Sequence, residues 1–225
     1  EIKPKGIIFL GGSVANFQNG FSNISVPAVL ATLVSDELHF PNLSMVGVDD
    51  RAAAHTAVAH LIAQGHSKIA VLGGPATSFP SRMRRLGAQD AMEQAGLIFD
   101  DRLYGLSNYD FESAYHAMNS LLARRAEFTA LFAMSDVIAF GAIRALVSAG
   151  FRVPQDVSVI GFDGITMSRY CVPVMTTIVQ PSEQIALQSI ELLINQIEHG
   201  APAQTITLQP ELQQGESVCP CRHPL

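Results

Sequence analysis

Short apolar runs alternate along this chain with longer stretches of helical periodicity, and this alternation limits the folds open to it. Six of the runs have the length and the Val, Ile, Leu, Phe or Ala content of strands that are covered on both faces. They are residues 6–10, 27–33, 44–48, 68–72, 129–133 and 157–162. Because strands that alternate with helices are typical of βαβ units, the pattern predicts an α/β fold with parallel sheets flanked by helices.

Capping residues mark the ends of the intervening helices, which we expect over residues 51–64, 81–95, 136–149 and 182–198. Asp50, Pro80 and Ser135 stand at the starts of the first three. A glycine follows each helix, as is common at helix C-termini: Gly65, Gly96, Gly150 and Gly200. The last helix carries one wide apolar stripe that we expect to be buried: Ile185, Leu187, Ile190, Leu193, Ile194 and Ile197.

Composition excludes several classes of protein. The 225 residues are 48% hydrophobic and 15% charged, which is typical of a globular core and not of a disordered chain. The net charge of -6 leaves no broad basic surface, so we do not expect this segment to bind nucleic acid. Apolar stretches such as 128–134 are much shorter than the roughly 20 residues of a membrane span, so we expect no membrane association.

Cysteine usage favours a reducing compartment. Three cysteines do not make a disulfide framework, so we expect a cytoplasmic protein. The tail Cys219-Pro220-Cys221-Arg222-His223 contains zinc-ligand residue types, but three potential ligands near one terminus make no convincing site, and we expect no metal. No phosphate-binding loop, zinc-protease helix or nucleophile elbow occurs in the sequence, so we expect neither a cofactor nor an enzyme.

Polar residues follow several of the predicted strands. In an open parallel sheet the loops after the strand C-termini line the ligand crevice, so these residues are candidates for binding. They are Asp49 and Asp50, Ser78 and Arg82, Ser135 and Asp136, and Asp163 with Gly164, to which Tyr109 adds an aromatic ring. Carboxylates, a planar guanidinium and a ring that can cover a pyranose face together suit a carbohydrate.

Seven motifs in fixed order carry a family resemblance. They occupy residues 46–50, 60–66, 72–75, 81–82, 135–141, 153–163 and 176–181. In this order and spacing the chain resembles the effector-binding core of LacI (lactose-repressor) family transcription regulators over almost its whole length. The resemblance implies a two-lobed periplasmic-binding-protein-like type I fold, with a first lobe that is incomplete at its N-terminus.

The resemblance also implies a domain arrangement and partners. Residues 1–48 and 181–207 would form the partial N-terminal lobe, and residues 49–180 and 208–225 the C-terminal lobe. A small-molecule effector, expected to be a sugar or sugar derivative, would bind between the lobes of a homodimer. Operator DNA would be bound only through an N-terminal helix-turn-helix domain that this chain lacks. The alternative is a periplasmic sugar-binding protein of a transporter, which shares the fold; a signal peptide upstream would indicate it.

Among the candidate ligand residues, Arg82 falls by resemblance at the position that reaches the effector, and Gln180 falls at the connection between the lobes. Asp163 ends a strand beside a glycine, and we expect it to bind the ligand. Arg84 and Arg85 are expected to pair with surface carboxylates.

The remaining candidates have structural alternatives. Asp50 and Asp136 also fit helix N-termini, where a carboxylate interacts with the helix dipole. Ser78 and Ser135 also fit caps or turns. Tyr109 fits either the rim of a site or a core.

Overall fold

The computed structural model describes residues 3–221. In chain order its elements are β1 (Ile7–Leu10), α1 (Val14–Gly20), β2 (Ala28–Ala31), β3 (Leu43–Val48), α2 (Asp50–Ala63), β4 (Ile69–Gly73), α3 (Phe79–Gln94), β5 (Tyr104–Leu106), α4 (Phe111–Ala123), β6 (Ala130–Ala133), α5 (Asp136–Ser148), β7 (Ser158–Asp163), β8 (Thr176–Val179), α6 (Ser182–His199), β9 (Thr205–Leu208) and β10 (Glu211–Gln213). Two compact units share them. The first combines residues up to Asp49 with Pro181–Pro210, and the second combines Asp50–Gln180 with the residues from Glu211 onward.

The first unit is built on a four-stranded parallel sheet in the order β1-β2-β3-β9. Helix α6 covers one face, where Ile185 and Leu192 pack against Val29, Ala31 and Val46. Four phenylalanine rings pack together between β1 and the segments that follow it: Phe9, Phe17, Phe21 and Phe40.

The second unit contains a six-stranded sheet in the order β10-β8-β7-β6-β4-β5, in which β10 alone is antiparallel to its neighbour. Helix α2 packs against α3, and α4 packs against α5. Phe132, Phe162 and Leu146 are among the fully buried side chains of this core. Because β4 to β8 run parallel, their carboxyl ends meet at one edge of the sheet, and the polar loops emerge there.

All six expected strands and all four expected helices are present, with ends shifted by at most two residues. The α/β class with predominantly parallel sheets is therefore confirmed. Four short strands were not expected, namely β5, β8, β9 and β10, and neither were α1 and α4. Two of these strands lack the apolar runs by which strands were predicted. The strand β8 begins with the buried polar pair Thr176 and Thr177, and β9 alternates exposed threonines with half-buried apolar residues.

The apolar stripe of α6 is buried only in part: Ile185 is buried and Leu193 packs against the core as expected, but the other four members are exposed. The buried residues are Ile185, Ser189, Leu192 and Gln196, whereas Leu187, Ile190, Ile194 and Ile197 are exposed. The polar members of the buried face are satisfied, because Ser189 Oγ donates to the Ile185 carbonyl oxygen at 2.6 Å and Gln196 Oε1 accepts from Ser44 Oγ at 3.2 Å. One of these bonds stays within α6 and the other reaches Ser44 on β3, so both polar side chains can lie on the buried face.

No helix within residues 3–221 is long and apolar enough to cross a membrane.

Candidate functional site

A buried arginine links the candidate carboxylates of the second unit. Arg84, on α3, donates from Nε to Asp50 Oδ1 at 2.7 Å and from Nη1 to the carbonyl oxygen of Met134. Its Nη1 also lies 3.6 Å from Asp163 Oδ1, and its guanidinium lies 3.7 Å from the centroid of the Phe162 ring. These contacts connect the starts of α2 and α3 to the carboxyl ends of β6 and β7.

The three charged residues differ in exposure. The side chains of Arg84 and Asp50 are 7% and 4% exposed, and that of Asp163 is 28% exposed. Asp163 Oδ1 also accepts a hydrogen bond from Gln180 Nε2 at 2.7 Å. The Asp50–Arg84 pair is thus an internal support, and Asp163 is the member that a small molecule can reach.

Burial and charge shift the pKa values in this group. Burial alone would lower the pKa of Arg84, but the charges of Asp50 and Asp163 raise it above the usual arginine value. Burial raises the pKa of Asp163, against the opposing effects of Arg84 and Gln180. The arginine therefore stays protonated and holds a compensated carboxylate at the sheet edge.

Tyr109 lies close to this group in a strained conformation. Its φ of 59° is in the left-handed region, which bulky residues rarely adopt outside constrained sites. Its ring packs closely against Gly74, where an added Cβ would lie 1.9 Å from Tyr109 Cε2. The hydroxyl is buried and has no hydrogen-bond partner among the described residues. A hydroxyl in that state is suited to bond a ligand.

The serine candidates act as helix caps. Ser78 Oγ accepts from the Ser81 amide at 3.4 Å at the start of α3, and Ser135 Oγ accepts from the Ile138 amide at 3.1 Å at the start of α5. Asp50 is the first residue of α2, in the turn where a carboxylate interacts with the helix dipole, and its Oδ1 also accepts from Arg84 Nε.

The structure brings Asp50, Asp163 and Gln180 together around Arg84. Arg82 is exposed, with its guanidinium 5.5 Å from the Phe79 ring centroid. Arg84 was wrongly assigned to a surface carboxylate. A signal for its burial exists in the sequence: Gly87, Ala88 and Ala91 follow it at helical spacing and are buried with it.

Asp136 is fully buried at the start of α5. Its Oδ1 accepts from Thr177 Oγ1 at 2.6 Å and its Oδ2 accepts from the Ile165 amide at 2.8 Å. Burial raises its pKa to about 6, although the Thr177 hydrogen bond acts in the opposite direction.

No group of three or more His, Cys, Asp and Glu residues within residues 3–221 could hold a metal ion. Cys219 and Cys221 are free, and the Cys219 carbonyl oxygen contacts His66 Nε2 at 3.0 Å. Arg222 and His223 of the tail motif lie outside the described residues.

Comparison with known proteins gives consistent relatives. Residues 58–218 match the family model described as a periplasmic binding protein-like domain. The chain is 34% identical over 219 residues to the HTH-type transcriptional regulator MalR of Clostridium butyricum, a match that covers 96% of this chain and 65% of the relative. It is 38% identical over 161 residues to the HTH-type transcriptional repressor PurR of Haemophilus influenzae, covering 71% of this chain and 48% of the relative. The chain thus spans half to two-thirds of the length of these relatives.

Solved structures give the same result. A sugar-binding transcriptional regulator of the LacI family from Escherichia coli, complexed with phosphate, matches with a TM-score of 0.81 and 30% identity over 96% of this chain and 78% of that one. A complex of the transcriptional regulator CelR with cellobiose matches with a TM-score of 0.78 and 27% identity over 91% of this chain and 69% of that one.

Proposed function

Because the chain belongs to the periplasmic binding protein-like domain family, in the form found in LacI-family transcription regulators, we propose that it is the effector-binding part of such a regulator. The named relatives are regulators and not enzymes or transport proteins, which favours this function over a transporter's binding protein. Operator DNA would be contacted by a part of the full protein outside this chain, and the regulator would act in the cytoplasm without catalysing a reaction.

The proposed effector is a sugar or a similar polyhydroxylated molecule that binds at the carboxyl edge of the second unit's sheet. The observation that carries this proposal is the partly exposed Asp163 carboxylate, held in place by Arg84 and Gln180. A carboxylate in this state accepts hydrogen bonds from neighbouring hydroxyls, and such charge-assisted bonds are strong where water is excluded.

Other groups at the same edge extend the recognition. The buried Tyr109 hydroxyl has no partner among the described residues and can bond a ligand oxygen. Ser78 follows β4, Ser135 follows β6, and Arg82 lies on α3. The two serines belong to the proposed site by their positions after strand ends, and Arg82 belongs to it by resemblance. The relative with cellobiose shows that a protein similar to this chain binds a sugar.

We also propose a homodimer. A groove between α4 and α5 is lined by apolar residues with charges of both signs beside them: Phe111, Tyr115, Phe140 and Gly141, with Glu112 and Arg144. Phe111 is 52% exposed and stacks on Phe140 at a centroid distance of 6.2 Å. In a two-fold arrangement Glu112 of one copy can face Arg144 of the other, so the surface is self-complementary.

A ligand screen tests the effector class. Cellobiose, D-ribose and D-gluconate represent a disaccharide, a pentose and a sugar acid, and adenosine is the contrasting probe. At about one hundred times its dissociation constant, a bound sugar should stabilise the fold by about 2.7 kcal/mol, measured as a shift in thermal unfolding and checked by calorimetric titration. Saturable binding to adenosine with none to the three sugars would overturn the proposed class.

A further inference from the structure

We propose that Asp136 is a positioning residue: it anchors the main chain directly after β7 and so fixes the direction of the Asp163 carboxylate. The consequence for ligand binding rests on the proposed effector role of Asp163.

The contacts of Asp136 show that it does more than begin a helix. Ser135 already caps α5 through its hydroxyl. The Asp136 carboxylate instead reaches two other segments, since it accepts from the hydroxyl of Thr177 on β8 and from the amide of Ile165 after β7. Burying a carboxylate costs free energy unless its hydrogen bonds are made, and here both oxygens bond groups outside the helix.

The segment that Asp136 holds has an unusual backbone. Asp163 has a φ of 107° and Gly164 has a φ of 69°, so two successive residues lie at positive φ. Such a conformation in a residue with a side chain persists only where neighbouring contacts impose it. Those contacts come from both sides of the turn. The backbone amide of Gln180 donates to the Asp163 carbonyl oxygen at 3.1 Å, and the Asp136 carboxylate accepts from the Ile165 amide at 2.8 Å.

Close packing leaves the Asp136 carboxylate little freedom. A Cβ added at Gly161 on β7 would lie 2.2 Å from Asp136 Oδ1 and 3.3 Å from Thr177 Oγ1. Only glycine at this position leaves room for the carboxylate between the two strands. The carboxylate is thus fixed against β7 and β8, and the turn after Asp163 is fixed to it.

Two variants disturb this anchor in different ways. Asp136→Asn replaces one carboxylate oxygen with an NH2 group, which cannot accept from the donor that it faces. Gly161→Ala displaces the carboxylate without removing its charge. Ser217→Ala is the matched control, because Ser217 is a buried hydroxyl that accepts from the Thr176 amide at 2.8 Å and donates to the Val159 carbonyl oxygen at 2.6 Å, away from the turn on the same two strands. It removes buried hydrogen bonds of β7 and β8 without touching the turn.

Hydrogen exchange measured by mass spectrometry on the full chain is the first readout. We expect amides 164–166 to exchange at least about tenfold faster in Asp136→Asn and in Gly161→Ala, and at the wild-type rate in Ser217→Ala. Wild-type exchange of this segment in both test variants, or equal acceleration in the control, would overturn the proposal. Since Gly161→Ala is independent of Asp136→Asn, the failure of one variant to fold leaves the other to decide.

Binding is the second readout. For whichever of cellobiose, D-ribose and D-gluconate binds the wild type most tightly, Asp136→Asn should weaken affinity at least about fivefold and Ser217→Ala should not. If exchange accelerates but that affinity is unchanged, the anchoring stands and its consequence for binding is overturned. If the wild type binds none of the three sugars, the proposed effector class fails, while hydrogen exchange still decides the role of Asp136.

Discussion

Arg84 and Asp163 share one ion-pair group, yet their substitution should have opposite consequences. Arg84→Ala leaves the carboxylate of Asp50 buried without its partner, and removal of one member of a buried pair costs about 3 to 5 kcal/mol of unfolding free energy. Asp163→Asn keeps the shape of a partly exposed side chain. It should cost about 1.5 to 3 kcal/mol of effector binding with little change in stability.

Urea denaturation and calorimetric titration of both variants separate these effects. A large loss of stability in Asp163→Asn with unchanged affinity would assign Asp163 to the fold. Arg82→Ala provides a comparison from the same helix. If Arg82 reaches the effector, as the resemblance implies, this variant loses affinity at an unchanged melting temperature. Unchanged affinity would remove Arg82 from the site.

The ionisation of Asp136 should be visible in the pH dependence of stability. Its pKa is about 6 in the folded chain against an ordinary value of 3.8, so the folded state binds the proton more tightly than the unfolded state. This contribution to stability is complete below pH 3.8 and is lost as the pH rises through 6. As the pH rises from 4 to 7, the unfolding free energy of Asp136→Asn should therefore increase by about 2 to 3 kcal/mol relative to that of the wild type.

The measurement is the difference in unfolding free energy between wild type and Asp136→Asn at several pH values, which cancels the contributions of the other carboxylates. A difference that does not change with pH would contradict the raised pKa. Faster exchange of amides 164–166 in Asp136→Asn, together with no loss of stability at neutral pH, would indicate that Asp136 serves the geometry of the site and not the stability of the fold.

At the level of elements, two substitutions in α6 test which of its faces packs against the sheet of the first unit. Leu192 is 7% exposed and packs on the sheet, so Leu192→Ala should cost about 2 to 4 kcal/mol of unfolding free energy. Ile190 is 48% exposed, and Ile190→Ala should stay within about 0.5 kcal/mol of the wild type. Equal costs measured by chemical denaturation would place the helix in a different orientation on its sheet.

The same helix shows how far the sequence could be interpreted. Periodicity predicted α6 and its end at Gly200, whose φ of 62° closes it as expected of a C-terminal glycine. Periodicity did not indicate the buried face, because that face contains polar Ser189 and Gln196, and Ser44, which donates to Gln196, is distant in the sequence. In the site, loop position predicted Asp163 and the resemblance predicted Gln180, and their ligand roles stay predictions. Arg84 was missed although small buried residues follow it at helical spacing, because its partner Asp50 lies 34 residues away in the sequence.

At the level of the whole molecule, the α4–α5 groove predicts self-association. Phe111→Ser removes the exposed ring at its edge and should shift the protein from dimer toward monomer in analytical ultracentrifugation. Ile98→Ser is the control, since Ile98 is 88% exposed on the same unit and does not line the groove. An unchanged dimer in Phe111→Ser, or an equal shift in both variants, would contradict this interface.

The interleaved order of the two units has a consequence for biosynthesis. The sheet of the first unit includes β9, and the sheet of the second unit includes β10. Most of each sheet is translated long before these two strands. A ribosome therefore releases β8 with one side still open, and β10 pairs with it only after α6 and β9 have been made. Within residues 3–221, each sheet therefore gains a strand from residues 205–213, which are translated after the strands that they pair with.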